Sequence, residues 1–147
     1  MRYAYRLLNK IKLFDIPIFM IDKRFSRSQK KNTKSIGDAA EQYALDFLIS
    51  KGLRLVQRQF HCRFGEWDLI LRQGELIVFV EVRYKRDTHF CHPEETIDFY
   101  KQKRLIRSAE FYLNRFPHAD CRLDVVALTG SPPKLNITWI QDAFAVQ

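Results

Sequence analysis

Several absences decide the first questions. The chain has only three cysteines in 147 residues, Cys62, Cys91 and Cys121, with no CxxC pair. An odd number at wide spacing does not make a disulfide framework, and free thiols suit a reducing compartment. The five glycines are not gathered into a phosphate-cradling loop, which sets nucleotide hydrolysis aside. No apolar run reaches the roughly 18 residues that a membrane helix needs. The most apolar N-terminal stretch, LFDIPIFMI, is broken by Asp15 and Pro17 and closed by Asp22 and Lys23. It lacks the continuous apolar region and small-residue cleavage site of a signal peptide. The expected compartment is therefore the cytoplasm. The aromatic-basic pattern of an RNA-recognition sheet is also missing, and there are no internal repeats.

The net charge of +8 is unevenly held. Residues 1–36 carry ten Lys and Arg against two Asp and Glu, and residues 37–147 carry fifteen against fifteen. All of the surplus lies in the leader, so the basic balance describes an anion-seeking or merely solubilising tail and says nothing of the domain. SRSQKKNTKS (Ser26–Ser35) reads as a linker. The expected division is a basic extension over 1–36, with a short helix before Pro17, and a folded domain over 37–147.

Within that domain the 46% hydrophobic and 14% aromatic composition of the chain allows a real core. GDAAEQYALDFLISK (Gly37–Lys51) has helical periodicity and stops at Gly52. Ala40, Ala44, Leu45, Phe47 and Leu48 form its apolar stripe, and Glu41 lies within it. Three strands follow, Leu53–Phe60, Glu66–Arg72 and Leu76–Tyr84, the last two joined by the turn Gln73-Gly74-Glu75. The third, LIVFVEVRY, is nearly continuous in apolar and β-branched residues and reads as a central strand. Alternation puts Phe79, Glu81 and Arg83 on one of its faces and Val80 and Val82 on the other. A long helix is expected from about Glu94 to Phe116, with Leu105, Ala109, Tyr112 and Phe116 buried, Lys101 turned to the sheet and Lys103 away. Arg122–Leu128 reads as a fourth strand with Arg122 and Asp124 on one face, and LNITWI as an edge strand. The order is αβββαβ with a short β extension.

Three carboxylates, Glu41, Asp68 and Glu81, fall where a sheet meets a helix. Burying a carboxylate costs several kcal/mol unless it is paired or bound to metal. Hard oxygen donors suit Mg²⁺, which takes one or two protein carboxylates and keeps waters and phosphate oxygens. The alternative is structural: Asp68 caps a turn, and Glu81 pairs with Arg83 or Arg122. His61-Cys62 and His89-x-Cys91-His92 lack the tight paired spacing of a zinc site.

The αβββαβ order, with Asp in the second strand and Glu-x-basic in the third, resembles the PD-(D/E)xK restriction-endonuclease-like fold that archaeal Holliday-junction resolvases share. More closely, Gly37-Asp38 with Glu41, GEWDLI, FVEVRYKR, the KQKRL helix and CRLDVVAL resemble the bacterial YraN-like family over about residues 37–143. The resemblance implies an α/β, three-layer core with a mixed central sheet flanked by helices. It implies Asp68 and Glu81 as the two acidic motif positions, and Glu41 as the helix glutamate of the resolvase-like branch. Mg²⁺ or Mn²⁺ would be the metal on Asp68, Glu81 and Glu41, DNA the partner, and homodimerisation is common to the fold.

Arg83 stands where the motif calls for Lys, and an arginine cannot act as a base. Lys101, on the core-facing side of the second helix, is the candidate replacement. Three readings remain: a metal-dependent nuclease acting on branched or structured DNA, a nucleic-acid-binding module without catalysis, and a protein-interaction domain.

Overall fold

The structure is a computed structural model that describes residues 12–15 and 33–35 through their backbone, and 36–86, 97–131 and 134–144 with side chains. Most of the leader, the loop holding His89, Cys91 and His92, and the Pro132-Pro133 turn lie outside the described residues. The elements are β1 (Lys12–Asp15), α1 (Thr33–Ser50), β2 (Arg54–Cys62), β3 (Gly65–Gln73), β4 (Leu76–Lys85), α2 (Phe99–Leu113), β5 (Cys121–Ser131) and β6 (Lys134–Ile140). They form one six-stranded sheet in the order β1-β6-β5-β4-β3-β2. β4 and β5 run parallel, joined through α2, and all other neighbours are antiparallel.

α1 covers one face of the sheet. Its stripe of Ala40, Ala44, Leu45, Phe47 and Leu48 packs on Leu69, Leu71, Val78, Val80, Val126 and Leu128. α2 covers the other, with Leu105, Ala109 and Tyr112 against Phe60, Trp67, Ile70, Phe79, Leu123 and Val125. The result is a mixed sheet between two helices, consistent with the three-layer restriction-endonuclease-like core. The alternation read in β4 holds: Phe79 and Glu81 face α2, and Val78 and Val80 face α1.

Three expectations need correction. Lys12–Asp15 is a strand on β6, not part of a helix before Pro17. α1 starts at Thr33, inside the stretch read as linker. α2 starts at Phe99, because Asp98 takes the N-cap and accepts a hydrogen bond from the Lys101 amide at 2.8 Å. It ends at Leu113, so Phe116 lies beyond the helix and is 43% exposed, not buried.

β5 and β6 are tied together by one fully buried carboxylate. Asp124 accepts from Arg122 Nε at 2.8 Å and Nη2 at 3.0 Å, from Trp139 Nε1 at 2.9 Å and from the Asp142 amide at 3.0 Å. Burial pushes its carboxyl up from the ordinary range, and Arg122 opposes that push. Truncating it would strand Arg122 and orphan two further donors. Asp124→Ala should therefore lower the free energy of unfolding by about 3–5 kcal/mol in urea titration. A loss below about 1 kcal/mol would mean the network is not holding this corner.

Candidate active site

The strand pairing changes character at Asp68. The β3–β4 ladder runs from Gln73↔Leu76 to Leu69↔Val80 and goes no further. One more step of the same register would set Asp68 opposite Glu81. Instead the Asp68 Oδ2 accepts a hydrogen bond from the Val82 amide at 2.6 Å, taking a place that a strand carbonyl would otherwise fill. β4 stays firmly paired to β5 on its other side as far as Lys85↔Thr129. The opening is thus local to the β3 side, and the two carboxylates stand at it.

β2 is irregular at the same level. Its register with β3 shifts between Leu55 and Gln57, and the pairs Arg58↔Leu69 and Phe60↔Trp67 bracket Gln59 and Asp68. Gln59 has φ 48°, a left-handed conformation uncommon for any residue but glycine. Its Nε2 donates to Glu41 Oε2 on α1 at 3.2 Å. An open cleft of about 340 Å³ lies here, lined by Glu41, Gln59, His61, Glu66 and Asp68 among others. At its rim His61 Nδ1 is 3.1 Å from Glu66 Oε2, both exposed.

Glu81 lies on the α2 side and is 3% exposed. Lys101 Nζ donates to its Oε1, and Arg83 Nη1 is 3.4 Å from the same oxygen. The Asp98 cap sets where α2 begins and so places Lys101 in the first turn, above Glu81. Asp68 feels all of these groups. Burial first, then the charge of Glu81, push its carboxyl up to about 7; Glu41 adds to the rise, while the Val82 amide and Lys101 oppose it.

The structure therefore gathers Asp68, Glu81, Lys101 and Arg83, with Glu41 across the cleft behind Gln59. The structural alternative for Glu81 is met in part, since Arg83 does approach it, but Arg122 belongs to Asp124. Among the described residues no three His, Cys, Asp or Glu side chains converge closely enough to hold a metal ion by themselves. Sequence reasoning did not find Gln59, Glu66 or Asp98, and it weighed His61 only as part of a zinc pair with Cys62. Only Asp98 carried a usable signal, as an N-cap residue ahead of a helical run.

The profile of the Uncharacterised protein family UPF0102 matches residues 40–128, which include every one of these groups. The chain belongs to the UPF0102 family. It is similar to a UPF0102 protein of Chromohalobacter salexigens, 47% identical over 80% of this chain and 96% of the relative. A UPF0102 protein of Nitrosococcus oceani is 46% identical over 76% and 92%, and one of Stutzerimonas stutzeri 42% over 76% and 96%. All three alignments take in nearly the whole relative, so the UPF0102 unit is in essence the domain built around this cleft.

A raised carboxyl has a thermodynamic signature. Asp68 ionises near its ordinary value of 3.8 when unfolded and only at about 7 when folded. Between those values the folded state holds the extra proton, so stability falls as pH rises from about 4 to 7. Asp68→Asn keeps an acceptor for the Val82 amide and removes the titration. It should stabilise the protein by about 3 kcal/mol at pH 8 and hardly at all at pH 4. Denaturation curves at the two pH values check this, and an equal gain at both would contradict the coupled site.

Proposed function

We propose that this UPF0102 protein is a metal-dependent nuclease that cleaves phosphodiester bonds of structured or branched DNA. One observation carries the reading. Two carboxylates, Asp68 and Glu81, are brought to the opening between β3 and β4, and a lysine from another element is set on one of them. Arg83 fills the lysine position of the motif, and Lys101 supplies from α2 the cation that the motif would place in β4.

The donors fit a hard divalent cation. Asp68 and Glu81 present carboxylate oxygens, the type Mg²⁺ or Mn²⁺ takes in ones and twos while keeping waters and phosphate oxygens. The Asp68 carboxyl is raised by burial first and then by the negative charge of Glu81 and Glu41, which Lys101 offsets only partly, and a dication would relieve that charge. When bound, such an ion would polarise the phosphodiester and lower the pKa of an attacking water.

The chain's own residues do the rest. Asp68 must give up its proton to serve as a ligand, which favours activity above pH 7. Lys101 orients Glu81 and places a positive charge where a phosphate enters. Arg83 can hold phosphate oxygens through its planar fork but stays protonated. Glu41, tied to Gln59, adds a third carboxylate on the far wall of the cleft.

Purified protein, Mg²⁺ or Mn²⁺, and a panel of single-stranded, duplex, flapped and four-way-junction DNA provide the test. Cleavage should appear with metal, stop with EDTA, and fall at least about 100-fold in Asp68→Asn, Glu81→Gln and Lys101→Met. Independently of activity, Mn²⁺ should raise the melting temperature of the wild type and not of Asp68→Asn. If DNA is bound but never cut, and binding ignores EDTA, the non-catalytic binding module takes its place.

A further inference from the structure

The first turns of α2 do two things at once. On the inner side Lys101 reaches Glu81. On the outer side Phe99 and Tyr100 are 60% and 79% exposed, the most exposed large hydrophobic side chains among the described residues. They meet edge to face with ring centroids 6.1 Å apart. Exposed aromatic area of this size on a helix that already has a good buried stripe contributes nothing to the core.

The aromatics alternate with cations. Lys103 Nζ lies 4.3 Å from the Phe99 ring centroid. Two turns on, the guanidinium groups of Arg107 and Arg63 lie 5.2 Å and 4.7 Å from the Phe64 ring, which stands at the β2–β3 turn. Phe64 is itself anchored edge-on against Phe111 at 5.8 Å, and its carbonyl accepts from Arg104 Nε at 3.4 Å. Lys103, Arg107 and Arg63 are thus held over rings, and less side-chain freedom is given up when they take up an anion.

From Phe99 to Arg107 the helix carries Lys101, Lys103, Arg104 and Arg107 and no carboxylate. The nearest acidic groups along the chain are Asp98, engaged as the cap, and Glu110 beyond Arg107. The cationic row is local, since residues 37–147 as a whole balance to zero.

We propose that this face of α2, with the β2–β3 turn, is a track for single-stranded nucleic acid. An unpaired base stacks on Tyr100 beside Phe99, and Lys103, Arg104, Arg107 and Arg63 follow the phosphates. The inference deepens the nuclease reading and rests on it only for what lies at the end of the track. Tyr100 is next to Lys101 in the chain, so a strand stacked there enters at the lip of the opening that holds Glu81. A cationic groove combined with an open aromatic ring is the way single strands are held without sequence preference. A duplex keeps its bases paired and offers Tyr100 no face, so the partner has an unpaired segment.

The test is anisotropy titration of the full chain carrying Asp68→Asn, in EDTA so that nothing is cut. The probes are a labelled oligothymidylate and a matched duplex, over a range of salt. The single strand should bind more tightly than the duplex. Tyr100→Ala should weaken single-strand binding about 10-fold, and Tyr100→Phe should restore it. Arg63→Ala with Arg107→Ala should lower the salt slope by about 1.4, near 0.7 for each phosphate that is no longer neutralised.

Equal affinity for both probes, or Tyr100→Ala binding as well as its parent, overturns the proposal. So does capture of the parent by phosphatidylglycerol vesicles that disappears in Tyr100→Ala while strand binding is unchanged, since the face would then fit a lipid surface. Absence of cleavage in the wild type with these binding results intact removes the nuclease reading alone. Cleavage with no effect at Tyr100 removes only the track.

Discussion

The charge of Glu81 is the constraint to which most of the domain answers. It sits in a central strand with a parallel neighbour on one side and a helix overhead, 3% exposed, and no water shell is available to it. A buried carboxylate left alone would cost several kcal/mol or take up a proton. Lys101 answers it, and for Lys101 to be there α2 must be capped by Asp98 and must lie with Leu105, Ala109 and Tyr112 on the sheet. Helix start, helix packing and site charge are therefore one condition. The Asp68 carboxyl is pushed up by its own burial first and by the charge of Glu81 second, while it still takes the Val82 amide.

Asp124 shows the other way of burying a carboxylate. It is as deep as Glu81, yet its oxygens are met by four donors from β5, β6 and the turn after β6. It has nothing left to offer a ligand. Asp68 accepts one strong hydrogen bond, faces another carboxylate and borders an open cleft. Residue type is the same in both places. Satisfaction of the oxygens separates a fastening from a reactive group.

Much of this could be read before any coordinates. The two-residue alternation of β4 placed Glu81 with Phe79, and the four-residue spacing to Leu105 turned Lys101 to the sheet. Arg122 and Asp124 shared a strand face and proved to be partners. What could not be read depends on contacts distant in sequence. Nothing local in Gln59 asks for φ 48°; the bulged β2 and Glu41 on α1 impose it. The strand at Lys12–Asp15 exists through its pairing with residues 136–139, far along the chain, and composition alone made that region a tail. The helix start expected near Glu94 lies outside the described residues, and the cap of α2 belongs to Asp98.

The irregularity of β2 has a bearing on how the protein survives in a crowded solution. β1 covers β6, so β2 is the sheet's other outermost strand. A flat open strand with Leu55 and Val56 exposed would be a template for stacking one molecule on the next. The register shift at Leu55/Gln57 and the left-handed Gln59 break the row of amides and carbonyls that a second strand would need. Arg54 and Arg58 add like charge along the same edge. The distortion that brings Gln59 to Glu41 thus also breaks the regular edge along which a second strand would pair.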